Sequence, residues 1–152
     1  MDPAIAELLD KQAIVETINR LFISTDQRDW DSVKACLAGQ VLFDMSSMGG
    51  GEAKTVTADA IVEAWKAALR PLLAIHHQAG NHLVEVHGER ATAFCCGIAS
   101  HYLPNRSGRN TRVFAGSYDF GLVRVARQWR ISEFRFNLKY IEGNKDLEMA
   151  GN

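Results

Sequence analysis

Long apolar runs are missing from this sequence. Nothing approaches the ~18 consecutive residues that a membrane span needs, so no membrane segment is expected. An excess of basic charge is missing too. The net charge is −1, which withholds the electrostatic footprint of a nucleic-acid or anionic-membrane binder. Neither nucleic acid nor a membrane is expected as a partner. Arg124, Arg127 and Arg130 are locally basic, but they flank a hairpin turn and read as a solvated rim. The first residues, MDPAIAELLDKQ, have neither the basic start nor the apolar core of a signal peptide, which predicts a cytoplasmic protein. Cysteine is scarce: Cys36, Cys95 and Cys96 are an odd count without a C-x-x-C pair. Adjacent Cys95 and Cys96 in a strand would point to opposite faces. All three read as small buried hydrophobes kept reduced. Repeats and long linkers are absent as well, so residues 1–152 are expected to form one domain.

What is present is a core's worth of apolar sequence with a change of period. Hydrophobic residues make up 47% of 152 positions, enough for one well-filled domain. Residues 4–26 carry an apolar stripe through Ile14, Ile18, Leu21 and Phe22, which predicts a helix. Asp29 suits the N-cap of a second, short helix that runs to Leu37–Ala38 and stops at Gly39. Residues 41–46 read as a strand, followed by a flexible glycine loop at 49–51. Thr57 caps a third helix with Ile61, Trp65 and Leu69 on one face, and Pro71 ends it.

After Pro71 the period drops to two. Residues 73–87, 91–103, 111–126 and 128–140 read as strands joined by hairpins, with a polar loop from Pro104 to Asn110. The tail 142–152 is polar and expected to be mobile. Helices first and meandering strands afterwards define an α+β fold, in which a curved, mostly antiparallel sheet wraps around the N-terminal helices. Such a cone encloses an interior pocket.

Several polar residues fall where apolar ones belong. Four residues past Phe22 the first helix's stripe reaches Asp26, and four further on it reaches Trp30. A carboxylate aimed at a core is costly unless paired, hydrogen-bonded or protonated. In the strand 73–87, Ile75, His77, Ala79 and Asn81 share a face if the strand has no bulge; a bulge would bring His76 or His82 inward instead. In the next strand Ala91, Ala93, Cys95, Gly97, Ala99 and His101 share a face, and in the following one Arg112, Phe114, Gly116, Tyr118 and Phe120 do. Asp26, His77, Asn81 and His101 are therefore the expected inward polar set, with Phe22, Trp30, Phe43, Met45, Trp65, Phe114 and Tyr118 around them.

Taken singly, His77 reads as a core histidine held by a carbonyl, and Asp26 as a helix-end cap. Together they are the material of an acid–base site. No motif positions a Ser or Cys nucleophile, so proton movement is expected rather than covalent attack. Asp26, His77 and His101 also match the donor types of an iron or zinc site, but no recognised metal spacing is present and neither metal nor other cofactor is expected.

These residues resemble the SnoaL-like branch of the nuclear transport factor 2 superfamily, and within it the scytalone dehydratases and lindane dehydrochlorinases. Thr25-Asp26-Gln27-Arg28-Asp29-Trp30-Asp31 is similar to the dehydratase segment in which a Tyr-Asp pair precedes a Lys-Asp-Trp-Asp turn. His77-Gln78-Ala79-Gly80-Asn81 resembles the His-x-x-x-Asn strand that carries the catalytic histidine in both enzymes, and His101 falls where the dehydratase has its second histidine. The resemblance implies an Asp26–His77 dyad that abstracts a carbon-bound proton, with His101 as acid or polar anchor and Asn81 as a secondary contact. It implies a cofactor-free lyase or isomerase acting on a small apolar cyclic or aromatic molecule, and a homo-oligomer formed through the outer sheet face. Two departures stand out. Thr25 and Met45 replace two dehydratase tyrosines, and the dehydrochlorinase lysine has no counterpart near Arg20 and Leu21. A non-catalytic binding module and the small subunit of an aromatic-ring oxygenase are the alternative readings, since a fold does not by itself imply a function.

Overall fold

The structure is a computed structural model and describes residues 1–147. Helix α1 spans Pro3–Asp26, with the Asp2 side chain accepting from the Ala4 amide as its N-cap. Its buried stripe of Ile14, Ile18, Leu21 and Phe22 continues into Thr25. Gln27 closes the helix, and Arg28 turns the chain with φ 58°. From there Arg28 donates to the carbonyls of Leu69 and Leu72 at 2.9 and 2.5 Å. One side chain thus ties the end of α1 to the unsatisfied carbonyl end of the third helix.

Helix α2 is Trp30–Ala35, capped by Asp29. It is shorter than its pattern suggested, because Leu37–Asp44 already forms strand β1. Both ends of the Leu37–Val41 segment are buried at 1% or less, and β1 lies parallel beside the last strand rather than continuing the helix. Strand β2, Lys54–Thr57, was hidden in what reads as loop. It pairs antiparallel with β1 at the sheet edge, where its exposed residues carry no alternating signal. Helix α3 covers Ala58–Leu69, with Thr57 accepting from the Ala60 amide.

Four long strands complete the sheet: β3 Ala74–His87, β4 Arg90–Tyr102, β5 Thr111–Val125 and β6 Gln128–Gly143. The order across the sheet is β2-β1-β6-β5-β4-β3. The β1–β6 pair is parallel and the others are antiparallel. Register shifts interrupt the β3–β4, β5–β6 and β1–β6 ladders. Bulges of this kind bend and twist a strand, and the resulting curved sheet folds around α1, which packs on β3 and β6.

The inner face is built to let rings lie close to the backbone. Gly97 and Gly116 are cross-strand partners on β4 and β5. A side chain at Gly97 would collide with the Tyr118 ring, and one at Gly116 with the Asn137 carbonyl and the Phe136 ring. The tail departs from expectation. Glu142 and Gly143 finish β6, Asn144 is buried, and Leu147 is wholly buried against Leu72 and Ile75. Those apolar contacts hold the segment; residues 148–152 of the expected mobile tail lie outside the described residues.

Candidate active site

Between α1, α3 and the inner sheet face lies a cavity of about 280 Å³. That is at the small end for ligand pockets. Its lining combines Phe22 and Thr25 of α1, Met45 and Met48 after β1, and Trp65, Ala68 and Leu69 of α3. The sheet supplies His77, Ala99, His101, Phe114, Tyr118, Phe134 and Phe136. Apart from the two imidazoles, the Tyr118 phenol, the Thr25 hydroxyl and the Trp65 indole N–H, these side chains are apolar. Thr25 donates its hydroxyl proton to the Leu21 carbonyl at 2.7 Å, so toward the cavity it has only an acceptor.

Asp26 sits behind the wall and grips His77 twice. Its Oδ2 accepts from the His77 main-chain N–H at 2.8 Å, and its Oδ1 lies 2.6 Å from His77 Nδ1. The two side chains are 17% and 15% exposed. A carboxylate has only acceptors, so Nδ1 carries a proton and the neutral ring's lone pair is on Nε2. Phe22, one helical turn before Asp26, lies against the imidazole at 5.2 Å between centroids and 18° between planes. The stripe of α1 thus delivers both the ring that fixes the imidazole plane and the anion that fixes its tautomer.

The second imidazole is paired across the sheet. His101 and Arg112 are direct partners across β4 and β5, and Arg112 Nη2 is 2.9 Å from His101 Nδ1. Phe114 packs against both, 5.3 Å from the His101 centroid and 5.3 Å from the guanidinium carbon. Arg112 shares a face with Phe114 and Tyr118 in the sequence pattern, but its pairing with His101 depends on strand register.

Other titratable groups of the core are held neutral. Burial pushes the Cys95 thiol up to about 12 and raises the Cys36 thiol. The Tyr118 phenol is raised chiefly by burial, then by Cys95 and Asp26, so it remains a protonated hydroxyl. Among the described residues, no three His, Cys, Asp or Glu side chains come together as a metal site. No helix among them is long and apolar enough to cross a membrane.

Three expected site residues lie elsewhere. The β3–β4 register shifts between Gly80 and Leu83, and Asn81 takes φ 57°. This bulge puts Asn81 on the outer side, exposed beside Lys139 and Tyr140. His77 precedes the bulge and stays inward. Trp30 leaves the cavity because Arg28 breaks the helix, and it lines a separate surface hollow with Arg28, Lys66 and Arg70. Phe43 lies behind the wall, stacked on Phe134 at 5.2 Å. Conversely, Phe134 and Phe136, at period-two spacing on β6, join the lining without being among the residues expected there.

The same bulge turns His82 inward. Its Nε2 is buried with no hydrogen-bond partner among the described residues, and desolvation lowers its pKa below the usual histidine value. An unfolded chain takes up this proton near pH ~6.5, whereas the folded chain resists it. Stability should be complete above that pH and decline as the pH falls below it. His82→Phe is expected to flatten this acid-side decline in urea midpoints measured between pH about 7 and 5. An unchanged slope would show that another group is responsible.

A curved sheet closed by helices over an apolar chamber, with a carboxylate-bound histidine on the wall, defines the class: a cone-shaped fold of the nuclear transport factor 2-like type. The chain belongs to the SnoaL-like domain family, whose pattern matches residues 6–135. It is similar to the Kfla4162 protein of Kribbella flavida, at 27% identity and TM-score 0.89 over 95% of this chain and 99% of that one. A protein of Novosphingobium aromaticivorans provisionally named a scytalone dehydratase shares 15% identity, with TM-score 0.81 over 93% and 91% of the two chains. A hexachlorocyclohexane dehydrochlorinase of Novosphingobium barchaimii shares 14%, with TM-score 0.75 over 94% and 95%. At such identities the last two likenesses concern the fold alone. Among curated proteins none matches the sequence.

Proposed function

We propose that this protein is a cofactor-free lyase or isomerase that moves a carbon-bound proton in a small, mostly apolar cyclic or aromatic molecule. The observation that carries this reading is the double hold of Asp26 on His77 at the cavity wall. With Nδ1–H engaged, Nε2 is left as the base. When it accepts a proton, the new positive charge forms beside the carboxylate and is stabilised where water is scarce. The remaining walls hold rings by packing. With Cys95 and Cys36 kept as thiols, the two buried cysteines are poor nucleophiles, which favours proton transfer over covalent attack.

The size of the chamber favours one ring or two small fused rings. Of the outer face, Leu83, Ile98 and Tyr140 are exposed, and association of copies there is part of the same reading, as is a cytoplasmic setting. The test is solvent deuterium exchange into a panel of cyclic ketones, phenols and halogenated rings, followed by NMR together with elimination products. Exchange that saturates with substrate supports the reading. Ligands that bind tightly across the panel without exchange or elimination would move the protein to the binding modules.

A further inference from the structure

Where α1, α2 and α3 meet, the surface carries a second hollow, of about 420 Å³. That volume lies within the range of small-molecule sites. Arg28, Trp30, Lys66, Arg70, Leu72 and Leu73 line it, and it shares no lining residue with the cavity. Its charge is one-sided. Across the chain Asp and Glu outnumber Lys and Arg by 18 to 17, yet three of these six residues are cations and none is an acid.

Helix capping does not account for these cations. A Lys or Arg at the end of a helix ordinarily meets its last carbonyls. On α3 that role falls to Arg28, which donates to the Leu69 and Leu72 carbonyls. Lys66 lies in the last turn of α3, and Arg70 follows as its C-cap. Both are exposed, and neither makes a hydrogen bond, ion pair or ring contact among the described residues. Four residues apart, they share one face of the helix, where like charges repel. Trp65, Ala68 and Leu69 turn instead to the cavity. Arg28 adds a third positive charge, and three of the five N–H groups of its guanidinium are left after the two carbonyls.

The rest of the lining is apolar. Trp30 is half-buried, packed against the core and lining the hollow, and Leu73 is 66% exposed. Water solvates the cations well and does nothing for Trp30 and Leu73. A ligand that satisfies both halves has a planar apolar body and an anionic group. A guanidinium meets a carboxylate through two parallel N–H donors. We propose that this hollow is a second small-molecule site, one that takes an aromatic carboxylate. Its ring lies against Trp30 and Leu73, and its two oxygens accept from Arg70 and Lys66. The site stands independently of the Asp26–His77 chemistry.

The three tryptophan indole N–H signals distinguish the two sites. Trp30 lines the hollow, Trp65 lines the cavity, and Trp129 is held elsewhere by Asp10. In proton–nitrogen NMR spectra of the full chain, Trp30→Phe assigns the Trp30 signal. Added 2-naphthoate should shift that signal and the amides around Arg70, with a Kd of about 1 mM, the scale of a small ligand on an open site. Acetate has the charge without the ring, and 2-naphthylmethanol the ring without the charge. Each should bind at least tenfold more weakly. Lys66→Gln combined with Arg70→Gln should weaken 2-naphthoate by roughly five- to tenfold and leave Tm within about 2 °C. Equal binding of acetate would make the hollow a plain anion patch, and equal binding of the alcohol a plain apolar one. Either result overturns the proposal, as does an unmoved Trp30 signal or full affinity in the double variant. A shift of Trp65 alone would place the ligand in the cavity, which overturns the proposal while leaving the reading of His77 as a base intact.

Discussion

Asp26→Asn is expected to lower turnover by about 10²-fold or more, the scale of a positioned acid–base group. The reason lies in the number of acceptors. Asp26 receives two donors at once, the main-chain N–H and the Nδ1–H of His77. Asparagine has a single acceptor oxygen. The main-chain N–H cannot change its role, so the Asn oxygen stays on it and the NH2 group faces Nδ1. That nitrogen must then accept, which drives the ring proton to Nε2 and removes the base's lone pair. His77→Gln removes the base outright and should cost at least as much. The double variant should lose little beyond the worse single change, because members of one catalytic unit are not additive. Turnover of a substrate found by the exchange panel is the measurement, with the ring tautomer of His77 as a second readout. Full activity in Asp26→Asn would return Asp26 to the role of helix-end residue and favour the binding-module reading.

Gly116→Ala is expected to destabilise the fold by about 3 kcal/mol, the upper part of the usual overpacking range. Gly116 lies at the shift in the β5–β6 ladder. A Cβ there meets the Asn137 main-chain carbonyl and the Phe136 ring at once. A ring can rotate away, but a carbonyl in a ladder moves only if the strand moves. The added methyl therefore acts on register as well as packing, and Phe136 is a cavity wall. A fall of roughly 6–12 °C in Tm is expected for a domain of this size, with the urea midpoint following. A fall of under 2 °C would mean that β6 yields more easily than its pairing suggests.

The two outcomes separate chemistry from architecture. Asp26 and His77 form a pair exposed by 17% and 15%, and the Asn replacement keeps the shape of the side chain. Its effect should fall on turnover more than on melting. Gly116 touches no reacting group, and its effect should fall on melting first.

Much of this arrangement was legible in the order of residues. An apolar stripe with spacing of three and four marked α1 and placed Asp26 on the same side as Phe22. The switch to period two after Pro71 announced the four long strands, and alternation chose His77 and His101 as inward residues. These are local properties: each follows from the geometry of one helix or one strand. What local geometry does not contain is the point where a strand slips. The bulge after Gly80 reversed Asn81 and His82, and nothing in the pattern of 73–87 announced it, since Gly80-Asn81 fits either side. Arg28 ended the α1 stripe before Trp30 because its guanidinium is satisfied by the carbonyls of a helix about forty residues further on. Strand β2 and the parallel seating of β1 on β6 also depend on chain segments far apart in sequence.

By itself, then, the sequence determined the α+β order, the apolar lining and the presence of a carboxylate and two histidines on inward faces. Tertiary structure alone decided how those groups are paired. His77 Nδ1 meets a carboxylate 51 residues away in sequence, and His101 Nδ1 meets a guanidinium 11 residues away. Hydrophobic periodicity is a property of faces and survives small errors of register. Hydrogen bonding is a property of individual atoms over about 3 Å, and it is specified only once the strands have taken their register and the sheet has curved around α1.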